Sequence, residues 1–239
     1  MIEKTVEEID NLECMGRVNK KFVDRGCPVT PFDEEMVRRS LLGASEKKGG
    51  PLVVLISGFA RSGKDTSAGM VKTILEGMGQ RVKVTHYADH LKNLCKDWLD
   101  WDGVKDDYGR TLLQYVGTNI VREQYPAYWV DHMVQMLKFF GNMFDVVLIP
   151  DTRFPNEIER IRQSGYDTVH MRIDRGSGFD NGLTDGQKNH ISETALIDYP
   201  RDILVQNDGT LEDLHFKLMG VAEKIDERAK ELKLSRVSG

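Results

Sequence analysis

The apolar run Leu52-Val53-Val54-Leu55-Ile56-Ser57 passes without a break into Gly58-Phe59-Ala60-Arg61-Ser62-Gly63-Lys64-Asp65-Thr66, and this join constrains the fold more than any other stretch. A short, continuous apolar run is the pattern of a strand buried on both faces of a parallel sheet. After Lys64, the residues Met70, Val71, Ile74, Leu75 and Met78 recur on one helical face. A glycine-containing turn of pattern G-x-x-x-x-G-K between a strand and a helix turns backbone N–H groups inward as an anion nest. The helix N-terminus adds a favourable dipole. Lys64 is placed to reach the β and γ phosphates of a nucleotide. Asp65 stands where Ser or Thr is usual; a carboxylate there can hold Mg²⁺ directly or through water, at the cost of negative charge near the phosphates. Thr66, the nearest hydroxyl, can share that task.

Beyond this join the pattern alternates. Strands are expected near 82–88, 146–150, 168–173 and 203–206, with helices near 91–99, 110–123, 128–140, 155–164 and 210–233. Such alternation implies right-handed crossovers and an open parallel sheet of the α/β class. Ligands on such sheets sit beyond the carboxyl ends of the strands. Residues 1–50 read as a helical N-terminal extension. Thr30-Pro31-Phe32-Asp33 is a helix start, Phe32, Met36, Val37 and Leu41 follow at helical spacing, and Glu46-Lys47-Lys48-Gly49-Gly50 is a linker. No chemistry is visible there; a packing helix or a partner-binding arm is expected.

Composition removes several classes. The net charge of -5 leaves no electrostatic footprint for stable nucleic acid binding, although local basic pockets for phosphates remain open. Cys14, Cys27 and Cys95 are scattered and have no zinc spacing, so reduced thiols are expected. The N-terminus is too acidic for a signal peptide, and no run approaches the ~20 apolar residues of a membrane span. A soluble, cytoplasmic protein is expected.

Four further features carry candidate chemistry. Asp151 ends the apolar run Val146-Val147-Leu148-Ile149-Pro150, where a carboxylate can orient Mg²⁺ and its waters. Arg153 follows it, either as a working cation, a surface residue or an ion-pair partner of Glu157. Arg110, Gln114, Thr118 and Arg122 recur every four residues and so line one helical stripe, with Gly117 allowing close approach. That stripe is either a solvated face or a receptor for a phosphate and a base edge. The glycine-rich segment from Asp174 to Gly186, flanked by Arg172, Arg175 and His190-Ile191-Ser192-Glu193, is expected to be a lid at about 174–192 or an ordinary surface loop. Ser192 is expected to cap a helix. Asn207-Asp208-Gly209-Thr210 should cap the long helix that follows and border an adenine.

Taken together, SGFARSGKDTSA (57–68), HYADHLK (86–92), LLQYVGTNIVRE (112–123) with Trp129, VLIPDTRFPNEIERI (147–161), HISE (190–193) and NDGTLEDL (207–214) resemble the phage-type deoxynucleoside monophosphate kinase family. The resemblance spans about residues 51–235. The closing NDGTLEDL also resembles dephospho-coenzyme A kinases, and a GKD loop occurs in phosphomevalonate kinases. The resemblance implies a P-loop NTPase fold of the nucleoside monophosphate kinase-like, three-layer kind, with a helical acceptor insertion at about 91–142. It implies ATP and Mg²⁺ phosphorylating a deoxynucleoside 5′-monophosphate, in the host cytoplasm if the chain is phage-encoded. By resemblance, Gly58, Arg61, Ser62, Gly63, Lys64, Asp65 and Thr66 hold ATP, with Asp65 and Asp151 on the metal. Lys64, Asp151, Arg153, Arg172 and Arg175 serve the transfer. Asp89, Lys92, Arg110, Gln114, Thr118, Arg122, Trp129, Arg153 and Glu157 serve the acceptor; Trp129 also fits a core position beside Met133, Val134 and Leu137. Two other readings stay open: a different small phosphorylated acceptor or a modified base, and a nucleotide-gated binding protein. A homodimer is also left open.

Overall fold

The computed structural model describes residues 50–176, 182 and 188–237. The expected helix at 30–43, and most of the glycine-rich stretch expected to form a lid, lie outside the described residues. Five strands, β1 (Leu52–Ser57), β2 (Val82–Val84), β3 (Val146–Ile149), β4 (Thr168–Asp174) and β5 (Ile203–Gln206), form one parallel sheet in the order β2-β3-β1-β4-β5. β1 is central, and all six of its residues are buried, as its unbroken apolar run requires. Register then fixes what the strand tips deliver. Leu55 lies beside Ile149 and Ser57 beside Arg172, so Gly58, Asp151 and Arg172 arrive at the same carboxyl edge.

The helices follow from the sequence pattern. α1 (Lys64–Gly77) and the long C-terminal helix, Leu211–Val237, pack on one face of the sheet. There Ala68, Val71, Leu75, Leu214, Leu218, Ala222 and Ile225 meet Leu52, Val54, Ile56, Met171 and Ile173. The alternate residues Val53 and Leu55 face the other way and are equally buried. Helix Pro155–Gln163 packs against β4. This is a layered α/β arrangement with helices over a buried parallel sheet.

The chain divides into two compact units, one holding Ala88–Trp129 and the other holding the sheet. In the first, α2 (Tyr87–Leu99, which begins one residue earlier) is followed by α3 (Asp107–Gln114). Asp106 caps α3 by accepting from Gly109 N–H at 2.7 Å. Tyr115–Arg122 then continues as a π-helix, where an unbroken α-helix over 110–123 is expected from the periodicity. The sequence explains the change: Val116, Gly117, Thr118, Ile120 and Val121 are weak α-helix formers. In addition, Trp129 Nε1 donates to the Gly117 carbonyl within this segment at 2.9 Å. α4 (Tyr128–Phe140) and α5 (Pro155–Gln163) follow, then α6 (Ile191–Thr194) and α7 (Leu211–Val237). Arg172 lies inside β4, within the strand expected at 168–173. The cap of α6 is His190, whose Nδ1 accepts from Ser192 N–H at 3.2 Å; Ser192 is helical instead of capping. Thr210 and Asp213 exchange hydrogen bonds at the start of α7, the capping expected there. No helix among the described residues is long and apolar enough to cross a membrane.

Candidate active site

The site grows from the tip of β1. Ser57, its last residue, pairs with the buried His170 of β4. His170 Nδ1 donates to the Pro200 carbonyl at 2.7 Å, so Nε2 accepts from the Ser57 hydroxyl at 2.8 Å. Beyond Ser57 the chain turns sharply. Gly58 and Gly63 have φ of 147° and 97°, and a side-chain carbon on Gly58 would lie 2.3 Å from the Ile173 carbonyl oxygen. On Gly63 it would lie 2.5 Å from Asn207 Nδ2. Both positions therefore need glycine for space as well as conformation. Asn207 closes the turn by donating to the Ser62 carbonyl at 2.8 Å.

Lys64 opens α1 and folds back over this loop. Its ammonium donates to the carbonyls of Gly58 (2.8 Å) and Phe59 (2.7 Å). Burial, reinforced by the Arg153 charge, pushes its pKa down to about 8, against the pull of Glu193, Asp65 and Asp151. Ser62 Oγ is buried with no hydrogen-bond partner among the described residues. A buried ammonium and an unanswered hydroxyl fit a phosphate chain, which supplies acceptors for both.

Beside the loop, a cavity of about 310 Å³ is lined by residues that include Arg61, Gly63, Lys64, Asp65, Thr66 and Arg175. Asn207, Gly209, Thr210, Leu211 and Leu214 complete its lining, so phosphate-loop residues and the start of α7 share one space. Arg175 Nε donates to the Asn207 carbonyl at 3.4 Å.

The two carboxylates expected to serve a metal are held by neighbouring residues. Asp65 Oδ1 pairs with His86 Nε2 at 2.9 Å, and Asp151 Oδ1 accepts from Tyr87 N–H at 3.0 Å. No group of three or more His, Cys, Asp or Glu residues able to hold a metal occurs among the described residues. Mg²⁺ is commonly bound through one or two carboxylates together with substrate phosphates, which this pair of aspartates fits.

Arg153 takes part in an ion pair, though with a different carboxylate from the one weighed in the sequence. Its partner is not Glu157 but Glu193, whose Oε1 accepts from Arg153 Nη1; the same nitrogen lies 3.3 Å from the Ser192 carbonyl. Glu157 instead caps α5, accepting from the backbone N–H of Arg153 (2.7 Å) and Phe154 (3.1 Å). Arg172 is buried, its guanidinium 5.2 Å from the Phe59 ring centroid and bonded to the Leu196 carbonyl. Burial lowers its pKa.

In the other unit, Arg110 and Gln114 lie on α3 and Thr118 and Arg122 on the π-helix, all four half-buried. The wider π turn rotates the last two away from a strict four-residue stripe. The close approach at Gly117 comes from Leu91, whose side chain would lie 2.8 Å from an added methyl. Trp129 is buried beneath the segment, edge-on to Tyr128 and His90, as a core residue would be. Asp89 and Lys92 pair with each other at 2.9 Å on α2.

Glu193 and His86 had no role assigned from sequence, and Asn207 had one only as part of the expected helix cap bordering an adenine. Glu193 has partners 40 and 133 residues away, so no local pattern reveals it. For His86 the only sequence signal was its place in the motif HYADHLK.

A glycine-flanked loop at the tip of a central parallel strand, with a lysine opening the next helix, is the P-loop arrangement of an α/β fold. The family model for deoxynucleotide monophosphate kinase matches residues 80–218, and the chain belongs to that family. Curated relatives are the deoxynucleotide monophosphate kinases of Escherichia phage RB69, 31% identical over 111 residues, and Enterobacteria phage T4, 28% identical over 123 residues. These alignments cover 46% and 49% of this chain but 42% and 46% of the relatives, so the chain spans less than half the length of the curated relatives it matches. Among solved structures, a cysteine-to-alanine mutant of the Mycobacterium tuberculosis APS kinase CysC aligns with 73% of this chain and 99% of its own, at TM-score 0.42 and 13% identity. The same kinase in complex with AMPPNP and APS aligns with 80% of this chain and 99% of its own, at TM-score 0.40 and 16% identity.

Proposed function

We propose that the chain transfers the γ-phosphate of ATP to a deoxynucleoside 5′-monophosphate. The observation that carries this reading is the loop at Gly58–Lys64 with its buried ammonium. It lies outside residues 80–218, so its geometry supports the reading independently of the family match. Transfer between phosphates needs little covalent help from the protein; positioning and charge neutralisation do most of the work.

The triphosphate lies in the nest made by Gly58, Arg61, Ser62, Gly63 and Lys64, with Thr66 beside it. Lys64 exchanges two loop carbonyls for phosphate oxygens when nucleotide enters. Adenine lies in the same cavity, against Leu211 and Leu214. Asp65 and Asp151 hold Mg²⁺, which neutralises phosphate charge when bound. Arg153 serves the transferred phosphate; Arg172 braces Phe59 of the loop, and Arg175 borders the cavity. The acceptor is held by Arg110, Gln114, Thr118 and Arg122, with Asp89 and Lys92 nearby, whereas Trp129 and Glu157 support the fold around these groups. The net charge of -5 weighs against a base within duplex DNA as acceptor.

The test is ADP release with ATP and Mg²⁺ across the common deoxynucleoside monophosphates, dephospho-coenzyme A and phosphomevalonate. Release with one or more deoxynucleotides is expected. Release only with a non-nucleotide would move the acceptor class, and ATP binding without release for any acceptor would favour a nucleotide-gated binding protein.

A further inference from the structure

Glu193 is the least expected residue at the phosphate loop. It lies on the short helix α6, and its side chain is only 5% exposed. Its two oxygens have different partners. Oε2 accepts from Ala60 N–H of the loop at 2.8 Å, and Oε1 accepts from the Arg153 guanidinium. A buried carboxylate persists only where partners repay its desolvation, and here both oxygens are engaged. Rotating the carboxylate would break both contacts at once. It also lies near two like charges, Lys64 and Arg153, and offsets their repulsion. Arg153 needs such a hold: its side chain is 39% exposed, and a free arginine has many rotamers to lose.

Resting on the phosphotransfer reading, we propose that Glu193 is a positioning residue. Its carboxylate ties Arg153 to the phosphate loop through Ala60 N–H, so that the guanidinium is already placed when the phosphate is transferred. The effect acts on the rate of transfer more than on nucleotide affinity, since Lys64 and the loop amides that hold ATP remain in place.

The test compares wild type, Glu193→Gln and Glu193→Asp, reading kcat by ADP release and ATP Kd by calorimetry, with thermal unfolding to confirm folded protein. Glutamine keeps the size but cannot accept from both partners. A misplacement of about 1 Å can cost ~100-fold in rate, so E193Q should lower kcat by roughly 30-fold or more. ATP Kd should change by less than about 3-fold, and E193D should recover part of the rate. In an Arg153→Ala background E193Q should cost less than about 3-fold, because the group it positions is gone. If E193Q tightens ATP binding and keeps its rate, the carboxylate competes with phosphate and the proposal is wrong. An equal loss with and without Arg153 also overturns it. Should E193Q fail to fold, E193D alone decides: wild-type kcat overturns the proposal and an intermediate kcat supports it. A wild-type chain that phosphorylates no acceptor removes the functional reading and this proposal with it; an active wild type with an unaffected E193Q removes this proposal alone.

Discussion

Lys64 shows how much a single residue's surroundings decide. Its ammonium is buried against two carbonyls and pushed down to about 8, yet Glu193, Asp65 and Asp151 all pull toward the charged form. Replacing it with methionine keeps the aliphatic stem and removes the charge. With one preorganised charge contact to the transition state worth ~3 kcal/mol, Lys64→Met should lower kcat by about 100-fold while leaving the unfolding temperature nearly unchanged. A folded K64M protein with near-normal turnover would remove the phosphate-loop reading. At this scale the glycines and the lysine were legible because one local pattern contains them. Glu193 was not, because its role depends on Ala60 and Arg153 reaching it through the fold. Glu157 carries a local signal as well: three residues beyond Phe154 it is in capping range, and its carboxylate accepts from the Arg153 and Phe154 N–H groups.

Whole elements were easier to anticipate than their interruptions. Helix Tyr128–Phe140 and strand Ile203–Gln206 fall where hydrophobic periodicity puts them. β2 stops at Val84, short of the expected Ala88, because it is an edge strand paired only with β3, and Tyr87 N–H is already committed to Asp151. The π-helix was hidden because its residues keep an apolar pattern compatible with an α-helix; the widening comes from weak α formers. Such segments recur at functional sites, which bears on the proposed acceptor pocket. Arg122, the last residue of the segment, is its best single test. Losing a bidentate arginine contact to a phosphate costs about 2–3 kcal/mol, so Arg122→Ala should lower kcat/KM for the monophosphate by roughly 30- to 150-fold. ATP affinity, made by another loop, should stay within about 2-fold. If both parameters fall together, or neither moves, the segment is structural and the pocket has been misplaced.

At the scale of the molecule, the sheet and its long helix are joined far from the phosphate loop by one buried carboxylate. Asp145, just before β3, accepts from Arg81 N–H at 2.8 Å and from the Arg81 guanidinium at 2.9 and 3.1 Å. It also pairs with Lys233 of α7 at 3.0 Å, so it links the entries to β2 and β3 with the C-terminal helix. Burial alone would raise its pKa, but the bonds from Arg81 and Lys233 outweigh it and hold the carboxyl well below the usual range. The sign follows directly. A depressed pKa in the folded state means that stability is fully present above the unfolded value, about 3.9, and is lost as pH falls toward the folded value. Asp145→Asn keeps the shape but removes the charge from a network in which hydrogen bonds to charged groups are worth about 1.5–3 kcal/mol each. It should lower the unfolding temperature at pH 7 by roughly 5–10 °C in a chain of this size. The gap between wild type and D145N should persist down to about pH 5 and begin to narrow below about pH 4, as the unfolded carboxyl gains its proton while the folded one keeps its charge. Thermal unfolding of both proteins from pH 7 to pH 3 measures it. A gap that stays constant over that range would mean that the site contributes through shape alone, and that Arg81 and Lys233 do not stabilise the Asp145 charge.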